Sequence, residues 1–269
     1  MLAEAHREAS SLLRLSDKQV RDFFEDGFVV VPKVFSARDV AQMQGAFDRL
    51  ERMAHELTEP AMVRGSQFVV ERIEGEAARV RIHRIVWCGA AEPVLSHFGR
   101  DPGLVHLAAQ LLGSNTMSQL INQAHFKLPG DGVEFPWHQD STHRRYGQDE
   151  WRDLNGRGSY VQTATALDDV TADSGPIEFI RGSARLGHVG LSADGALPSA
   201  VDPSQAVAPT PRAGDVLLFG PYTIHRSLPN RSAHPRRTFI NGFAFPGANS
   251  RVYPGEGAGR LVGVEGDAA

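Results

Sequence analysis

The amino-acid sequence predicts a mainly β protein with flanking helices, in which the strands form an antiparallel barrel or jelly roll. The N-terminal third contains a helix start with a capping-box pattern and one amphipathic helical pattern, and helical patterns largely disappear after residue 113. From residue 116 onward, short apolar segments alternate with Gly, Pro and Asn. Several short strands without helices between them are typical of antiparallel barrels and jelly rolls.

The chain has the length and composition of one soluble domain. Its 269 residues are 41% hydrophobic and 22% charged, and all-β domains reach ~200–250 residues without splitting. We therefore expect a single domain over residues 1–269. It would comprise a helical part at about 10–113, a jelly-roll core at about 115–247 and a loose tail, rich in Gly and Ala, over 248–269.

The N-terminal elements are predicted from caps and spacing. Ser16, followed three residues later by Gln19, forms a capping-box pattern for a helix that ends at Gly27, and a short strand, Phe28–Val31, follows. From Ser36, apolar residues recur at spacings of three and four, as on one face of an amphipathic helix that needs a sheet to pack against. These residues are Val40, Met43, Phe47, Leu50, Ala54 and Leu57.

The later elements are predicted from composition and turn signals. A hairpin is expected over 66–88, with its turn near Glu74-Gly75. Asp101 and Pro102 suit the cap and first turn of a helix that runs to Leu112, where the following glycine closes it. The strands of the β core are predicted within 117–126, 159–167, 176–180, 214–219 and 236–245.

Charge and cysteine content exclude several classes of protein. A net charge of −4 and a pI near 6.3 give no basic surface for a nucleic-acid backbone. The single cysteine, Cys88, cannot form an internal disulfide or a thiolate metal cluster, and we expect a buried, inert thiol. The apolar runs fall short of the ~18 residues of a membrane-spanning helix. We therefore expect a cytoplasmic protein that binds neither nucleic acid nor membrane.

The segment Phe135-Pro136-Trp137-His138-Gln139-Asp140 carries two candidate metal ligands. In an extended chain, residues two apart project from the same face, so His138 and Asp140 can reach one ion. A distant histidine would complete a facial triad of two histidines and one carboxylate, which leaves open positions on Fe(II). His225, which follows the buried strand Asp215–Phe219, suits that role.

A candidate anchor for an acidic cosubstrate follows this histidine. Arg236 lies eleven residues past His225, at the predicted start of the strand Arg236–Phe245. A guanidinium pairs through two hydrogen bonds with a carboxylate such as the distal end of 2-oxoglutarate.

These residues belong to an ordered set that resembles the phytanoyl-CoA dioxygenase-like oxygenases, a family that also includes ectoine-hydroxylase-like enzymes. The resemblance covers most of the chain. It comprises Gln19-Val20-x-x-Phe23-x-x-x-Gly27-Phe28-Val29-Val30, Lys127-Leu128-Pro129-Gly130, Trp137-His138-Gln139-Asp140, His225-x-Ser227-x-x-Asn230-x-Ser232 and Arg236.

The resemblance implies a double-stranded β-helix core, a cupin-like jelly roll, with Fe(II) at its mouth. It implies that His138, Asp140 and His225 bind the iron, that 2-oxoglutarate chelates it and that O₂ is consumed. It also implies that Arg236 and Ser227 contact the far carboxylate of 2-oxoglutarate. Further cosubstrate contacts are Lys127 and Gln162.

The implied activity is that of a 2-oxoglutarate-dependent non-haem iron dioxygenase that oxidises a small organic molecule and releases succinate and CO₂. Asp140 favours hydroxylation, desaturation or ring formation, because halogenating relatives have a small residue in its place. The chain departs from the family pattern at Arg226, where many members have Gly, and at Gly182-Ser183-Ala184 in place of Gly-Ser-His. The substrates of relatives therefore do not transfer to it directly.

Residues close to the predicted triad are candidates for binding the organic substrate. Positive charge gathers there in a chain of negative net charge, which suggests an anionic or strongly accepting substrate group. The candidates are His143, Arg144, Arg145, Arg226 and Trp137. The polar segment 141–158 is interpreted either as a lid beside the site or as a plain surface connection.

Two other functions are compatible with the same residues. Zinc and manganese also bind His and Asp, so a cupin-like hydrolase or isomerase is an alternative enzyme class. A non-catalytic jelly-roll binding module with a structural metal is the other alternative. The open triad and Arg236 argue against it, because structural sites normally fill all positions with protein ligands. The sequence favours no particular substrate or oligomeric state.

Overall fold

The computed structural model describes residues 13–73, 80–192 and 194–264. Its α-helices are α1 (Asp17–Asp26), α2 (Ala37–His55), α3 (Cys88–Ala91), α4 (Pro93–Phe98), α5 (Pro102–Leu112) and α6 (Asp140–His143). Its strands are β1 (Phe28–Val31), β2 (Ala61–Val63), β3 (Ser66–Arg72), β4 (Val80–Val86), β5 (Thr116–His125), β6 (Phe135–His138), β7 (Tyr160–Ala166), β8 (Ile177–Ile180), β9 (Ala206–Val207), β10 (Val216–Phe219), β11 (His225–Ser227), β12 (Thr238–Ala244) and β13 (Arg260–Gly263). No helix among the described residues is long and apolar enough to cross a membrane.

The strands form two antiparallel sheets. The larger has the order β1-β10-β7-β12-β5-β4-β3-β2, with β13 paired to β5, and the smaller has the order β6-β11-β8-β9. The sheets pack face to face through aromatic rings: Phe179 of the small sheet lies 4.6 Å from Phe28 and 5.2 Å from Phe219 of the large one, between ring centroids. The fold is the predicted jelly roll.

The helices cover the other face of the large sheet. A capping box at Ser36 and Asp39 starts α2, whose apolar stripe is fully buried. Within this core, the Phe47 ring of α2 lies 5.1 Å from Phe126 and 6.5 Å from Phe239. Alternation along the strands therefore separates two cores, one between sheet and helices and one between the sheets.

The turn from α1 into β1 requires a glycine. Gly27 ends α1 with a φ of 94°, in the left-handed region. A Cβ at this position would also lie 2.7 Å from the hydroxyl oxygen of Thr223. The close approach allows that hydroxyl to donate a 2.7 Å hydrogen bond to the Gly27 carbonyl. The start of the chain thus holds the segment that precedes His225.

Most elements follow the sequence-based predictions, including the capping box at Ser16, the hairpin strands and the helix from Pro102. The second capping box, at Ser36, was not predicted. The predicted hairpin turn at Glu74-Gly75 lies outside the described residues. Strand β12 begins at Thr238, so Arg236 precedes the strand instead of starting it. The sequence analysis missed short strands, namely β2, β6, β9, β11 and β13.

The prediction of a loose C-terminal tail is wrong for the described part of that segment. Strand β13 pairs with β5 from Arg260 opposite Gln119 to Gly263 opposite Thr116. Tyr253 is 8% exposed and packs with the core between the sheets. The glycines of this segment reflect close packing, because a Cβ on Gly255 would lie 2.1 Å from the Cβ of Trp87.

Candidate active site

The two candidate histidine ligands meet because their strands are neighbours. His138 ends β6 and His225 begins β11, and the antiparallel pairing sets them directly opposite each other. Their ring centroids lie 4.1 Å apart. Residues 87 positions apart in the chain are therefore brought together by one strand pair.

Asp140 completes the cluster from the first turn of α6. Its side chain is 4% exposed, and within the described part of the chain its Oδ2 has no hydrogen-bond partner. One ligand atom from each of His138, Asp140 and His225 lies within 4.8 Å of the other two. A buried carboxylate oxygen without a partner is costly unless a cation binds it, so the cluster fits a metal ion.

Backbone carbonyls orient both imidazole rings. Nδ1 of His138 lies 2.8 Å from the carbonyl of Pro136, and Nδ1 of His225 lies 2.9 Å from that of Thr223. Because a carbonyl only accepts, each Nδ1 carries the hydrogen and each Nε2 keeps its lone pair. This outer hydrogen bond is the usual means of fixing a metal-binding histidine.

The charge states of the cluster also suit a metal ion. Burial, reinforced by the charge of His138, lowers the pKa of His225 to about 3, so its ring is neutral. Burial alone would raise the pKa of Asp140, but the basic side chains around it, among them the permanently charged Arg144, outweigh burial and hold that pKa below the ordinary value. Neutral imidazole and ionised carboxylate are the forms that bind metals.

Residues between and before the ligands hold them in register. The Gln139 amide donates to the carbonyls of Gly187 and Tyr222, at 2.9 and 2.6 Å, and accepts from the backbone N–H of Val189. Thr223 is anchored to Gly27, as described above. Both sides of the cluster are therefore fixed by contacts to backbone.

A cavity of about 370 Å³ opens beside the cluster and is lined by all three candidate ligands. The four cosubstrate candidates, Arg236, Ser227, Lys127 and Gln162, also line it. Part of its wall is apolar and lies between the sheets, at Phe219 and Ile240. The cavity therefore combines a metal-binding edge with a buried interior.

Arg236 has the environment of an anion anchor. It is 4% exposed, and its guanidinium donates to the hydroxyl of Thr238 and the carbonyl of Gly175, while Nε has no partner within the described chain. Burial lowers its pKa to about 10, so it stays charged at neutral pH. Arg237 points to the opposite face, where Asp168 and Asp48 bind it at 2.7 Å.

Lys127 and Gln162 make internal contacts as well. The Lys127 ammonium donates to the carbonyls of Val133, Ser227 and Leu228, which accounts for its three hydrogens. Burial, together with Arg236, lowers its pKa to about 7. The Gln162 carbonyl accepts from the Tyr160 hydroxyl. Both side chains line the cavity, although Lys127 is already occupied by the backbone.

The structure separates the substrate candidates into two groups. His143, Arg144 and Arg226 line the cavity, whereas Arg145 and Trp137 do not. Arg145 is exposed and pairs with Glu150 at 2.9 Å. Trp137 and its neighbour His138 point to opposite faces of β6. The guanidinium carbon of Arg226 lies 4.5 Å from the centroid of the Trp137 ring. Arg145 and Trp137 therefore lie outside the cavity wall, unlike the other three candidates.

The segment 141–158 is partly anchored. Tyr146 and Trp151 are buried, and their rings stack with centroids 5.1 Å apart. The segment also supplies His143 and Arg144 to the cavity. Its interpretation as a lid stays a prediction.

Sequence reasoning missed several residues of the cavity wall. They are Gln67, Arg84, Gln123, His125, Arg251 and Tyr253, among others. No local motif marks them, because they come from β3, β4, β5 and the C-terminal segment. Strand alternation predicts which residues share a face, but it does not predict which strands are neighbours.

Comparisons with known proteins agree with the fold and the cluster. The ectoine dioxygenase of Bordetella bronchiseptica is 27% identical over 243 residues, which cover 82% of this chain and 73% of that protein. The L-proline trans-4-hydroxylase of Streptomyces griseoviridis is 32% identical over 186 residues, which cover 68% of this chain and 59% of that protein. The solved structure of EvdO2 from Micromonospora carbonacea var. aurantiaca complexed with 2-oxoglutarate superposes with a TM-score of 0.62 at 25% identity, covering 89% of this chain and 95% of that one.

The match to a protein family extends over most of the chain. The family model described as phytanoyl-CoA dioxygenase matches residues 23–238, a range that contains the metal cluster and Arg236. The chain therefore belongs to the phytanoyl-CoA dioxygenase family.

Proposed function

We propose that this protein is an Fe(II)- and 2-oxoglutarate-dependent dioxygenase that hydroxylates a small organic molecule. His138, Asp140 and His225 hold the iron, and Arg236 holds the distal carboxylate of 2-oxoglutarate. The observation that carries the proposal is the cluster itself: two oriented imidazoles and a carboxylate oxygen without a partner, at the edge of a cavity.

The ligand set favours a catalytic iron over a structural metal. Two histidines and one carboxylate are the facial triad of non-haem Fe(II) oxygenases, which keeps positions open for cosubstrate and O₂. A structural zinc site would normally have four protein ligands. Among the described residues, the cluster offers three protein ligands, and its open side faces a cavity.

The cosubstrate site fits a dicarboxylate with one end at the metal. Arg236 is buried, lacks an ion pair with any described carboxylate and has Nε free to donate. Ser227, 5% exposed, lines the same cavity and can add a hydroxyl hydrogen bond. A desolvated guanidinium binds a carboxylate strongly, because water competes little for either group.

The protein's own residues position and protect the reaction. Iron with 2-oxoglutarate and O₂ supplies the oxidising chemistry and releases succinate and CO₂. The carbonyls behind His138 and His225 fix the two imidazole rings, so that each Nε2 would be available to bind the iron. Phe219 and Ile240 make the interior of the cavity apolar and limit the access of water. Asp140 occupies the carboxylate position, so that hydroxylation is favoured over halogenation.

The substrate is proposed to be a small molecule. A cavity of about 370 Å³ lies near the lower end of the range for ligand pockets, and it also has to hold 2-oxoglutarate. The names of two relatives, ectoine dioxygenase and L-proline trans-4-hydroxylase, refer to small, polar compounds. These names support a substrate of similarly small size.

Spectroscopy together with product analysis tests the proposal. Without O₂, the protein with Fe(II) and 2-oxoglutarate should show a visible charge-transfer band, and the zinc form should not. With O₂, succinate should form and increase when a substrate is supplied. If the iron form shows neither band nor succinate while zinc supports turnover of another kind, the cupin-like hydrolase or isomerase is the better assignment.

A further inference from the structure

The cavity is lined by an excess of positive charge. Of the described residues in its wall, one is a carboxylate, the proposed metal ligand Asp140. The cationic side chains in the wall, histidines aside, are Arg84, Lys127, Arg144, Arg226, Arg236 and Arg251. Such an arrangement is costly unless anions bind in the cavity.

Three of these cations are accounted for by the protein or by the proposed cosubstrate. Nε of Arg226 lies 2.6 Å from Oε2 of Glu178, which neutralises it. Lys127 donates all its hydrogens to carbonyls, and Arg236 is assigned to 2-oxoglutarate. The iron, Asp140 and the cosubstrate dianion together carry one negative charge, which balances Arg236. Bound cofactors therefore leave the other arginines uncompensated.

Arg84 is the most informative of the remaining three. It lies on β4 and is half-buried, and no described residue makes a hydrogen bond or ion pair with it. It shares the cavity face of β4 with Val86, which pairs with Gln67 on one side and Gln123 on the other. Gln67 and Gln123 also line the cavity, and among the described residues the guanidinium of Arg84 has no hydrogen-bond acceptor.

Arg144 reaches the cavity from the end of α6. It is 7% exposed, and its guanidinium carbon lies 4.9 Å from the Tyr160 ring centroid and 5.2 Å from that of Tyr253. The two rings, and a 3.3 Å hydrogen bond that Nη2 donates to the Tyr160 hydroxyl, fix its position, while Nε has no partner within the described chain. Arg84 and Arg144 line the same cavity, where burial lowers the pKa of Arg84 and the charge of Arg144 lowers it further.

We infer that Arg84 and Arg144 form a second anion-binding subsite, which takes a carboxylate or phosphate group of the organic substrate. The inference rests on the proposed function, because it assigns Arg236 to the cosubstrate and Arg84 and Arg144, in the wall of the same cavity, to the substrate. Two guanidiniums with free donors, held apart by the fold, match the oxygens of one oxyanion. The anionic group would fix the substrate so that another part of it faces the metal.

The subsite is tested by comparing the binding of two small molecules of similar shape, of which one is an anion and the other is neutral. We would titrate benzoate and benzamide calorimetrically into the Fe(II) protein saturated with 2-oxoglutarate, without O₂. Wild type should bind benzoate roughly tenfold or more tightly than benzamide, since only benzoate pairs with the arginines. Arg84→Gln should lose this preference, and Arg84→Lys should retain most of it.

A control on the same strand separates this effect from general damage. Arg81 also lies on β4 but pairs with Glu71 at 2.7 Å and does not line the cavity. Arg81→Gln should bind benzoate as wild type does. Equal affinity of wild type for the two probes, no benzoate binding, or an unchanged preference in Arg84→Gln would each overturn the inference.

Titration of 2-oxoglutarate distinguishes this failure from failure of the proposed function. The inference requires that Arg84→Gln bind 2-oxoglutarate within about twofold of wild type. If Arg84→Gln instead weakens 2-oxoglutarate as much as benzoate, Arg84 belongs to the cosubstrate site and the inference is wrong. A wild-type protein that binds no 2-oxoglutarate overturns the proposed function, and the inference with it.

Discussion

At the residue scale, the three proposed ligands are distinguished by their ligand atoms, which all lie within 4.8 Å of one another. We predict that Asp140→Ala and His225→Ala each weaken Fe(II) binding ~100-fold or more, because a site with three protein ligands has none to spare. The fold should persist, since the backbone contacts around them remain. Metal content after gel filtration and circular dichroism measure the two effects.

His143→Ala is the matched control for the ligand variants. The His143 ring lies 5.3 Å from that of His138, between centroids, and it lines the cavity without belonging to the cluster. It should therefore retain iron. Normal iron content in His225→Ala would remove that residue from the triad, whatever its effect on turnover.

Neighbouring arginines provide the second residue-scale prediction. Arg236→Ala should weaken 2-oxoglutarate binding by ~2 kcal/mol or more, because a buried carboxylate would lose its paired charge. Arg237→Ala should leave 2-oxoglutarate binding unchanged and lower the unfolding temperature, since Arg237 binds Asp168 and Asp48 outside the cavity. Calorimetric titration and thermal unfolding of both variants check this. The opposite pattern would contradict the assigned orientation of the two side chains.

The metal ligands could be predicted from the sequence, whereas Arg84 could not. His138 and Asp140 form a local pattern in a strand-like segment. His225 and Arg236 were found by their positions after one predicted strand and at the start of another, and the family resemblance then included both. Arg84 has no such signal, because it lines the cavity only through the pairing of β4 with β3 and β5. Trp137 lies outside the cavity wall for a related reason, since strand alternation turns it away from its neighbour His138.

At the element scale, the longer strands and helices were predictable and the shortest were not. Apolar spacing marked α2, a cap and a closing glycine marked α5, and β-branched or aromatic residues marked β3 and β4. A strand of three or four residues, such as β11 or β13, carries too few positions to show alternation. The glycines around β13 suggested a loose segment, whereas they permit close packing against Trp87.

Strand β13 provides an element-scale prediction with a matched pair of variants. Val262 is 8% exposed and packs into the core, whereas its neighbour Leu261 is 67% exposed. Val262→Asp should destabilise the protein by ~2–4 kcal/mol, because it buries an unpaired charge. Leu261→Asp should change the stability by less than ~0.5 kcal/mol. Equal denaturant midpoints for the two variants would show that β13 is not held on the sheet.

At the scale of the whole molecule, the jelly roll gathers charged groups from distant parts of the chain into one cavity. β4 contributes Arg84, α6 leads into Arg144, and the segment before β13 contributes Arg251 and Tyr253. The interior must therefore tolerate positive charge when no ligand is bound. This arrangement should make the stability of the metal-free protein depend on pH.

His125 allows that dependence to be measured. Burial lowers its pKa to about 3, and the charges of Arg84 and Arg236 add to the effect. The folded state therefore keeps this ring neutral, whereas the unfolded state protonates it below its ordinary pKa near 6.5. Because the unfolded state binds more protons, the stability is full above pH 6.5 and is lost as the pH falls from there toward 3.

We predict that the metal-free wild type loses stability between pH 6.5 and 4 and that His125→Gln loses less. Each such histidine contributes ~1.4 kcal/mol per pH unit while only the unfolded state is protonated. Since His225 has a similarly lowered pKa, a slope should persist in the variant. Urea unfolding at pH 8, 7, 6 and 5 measures this, and the two proteins should have parallel curves above pH 7. If His125→Gln kept the wild-type slope at low pH, His125 would be protonated in the folded state, and the cavity would tolerate a further positive charge.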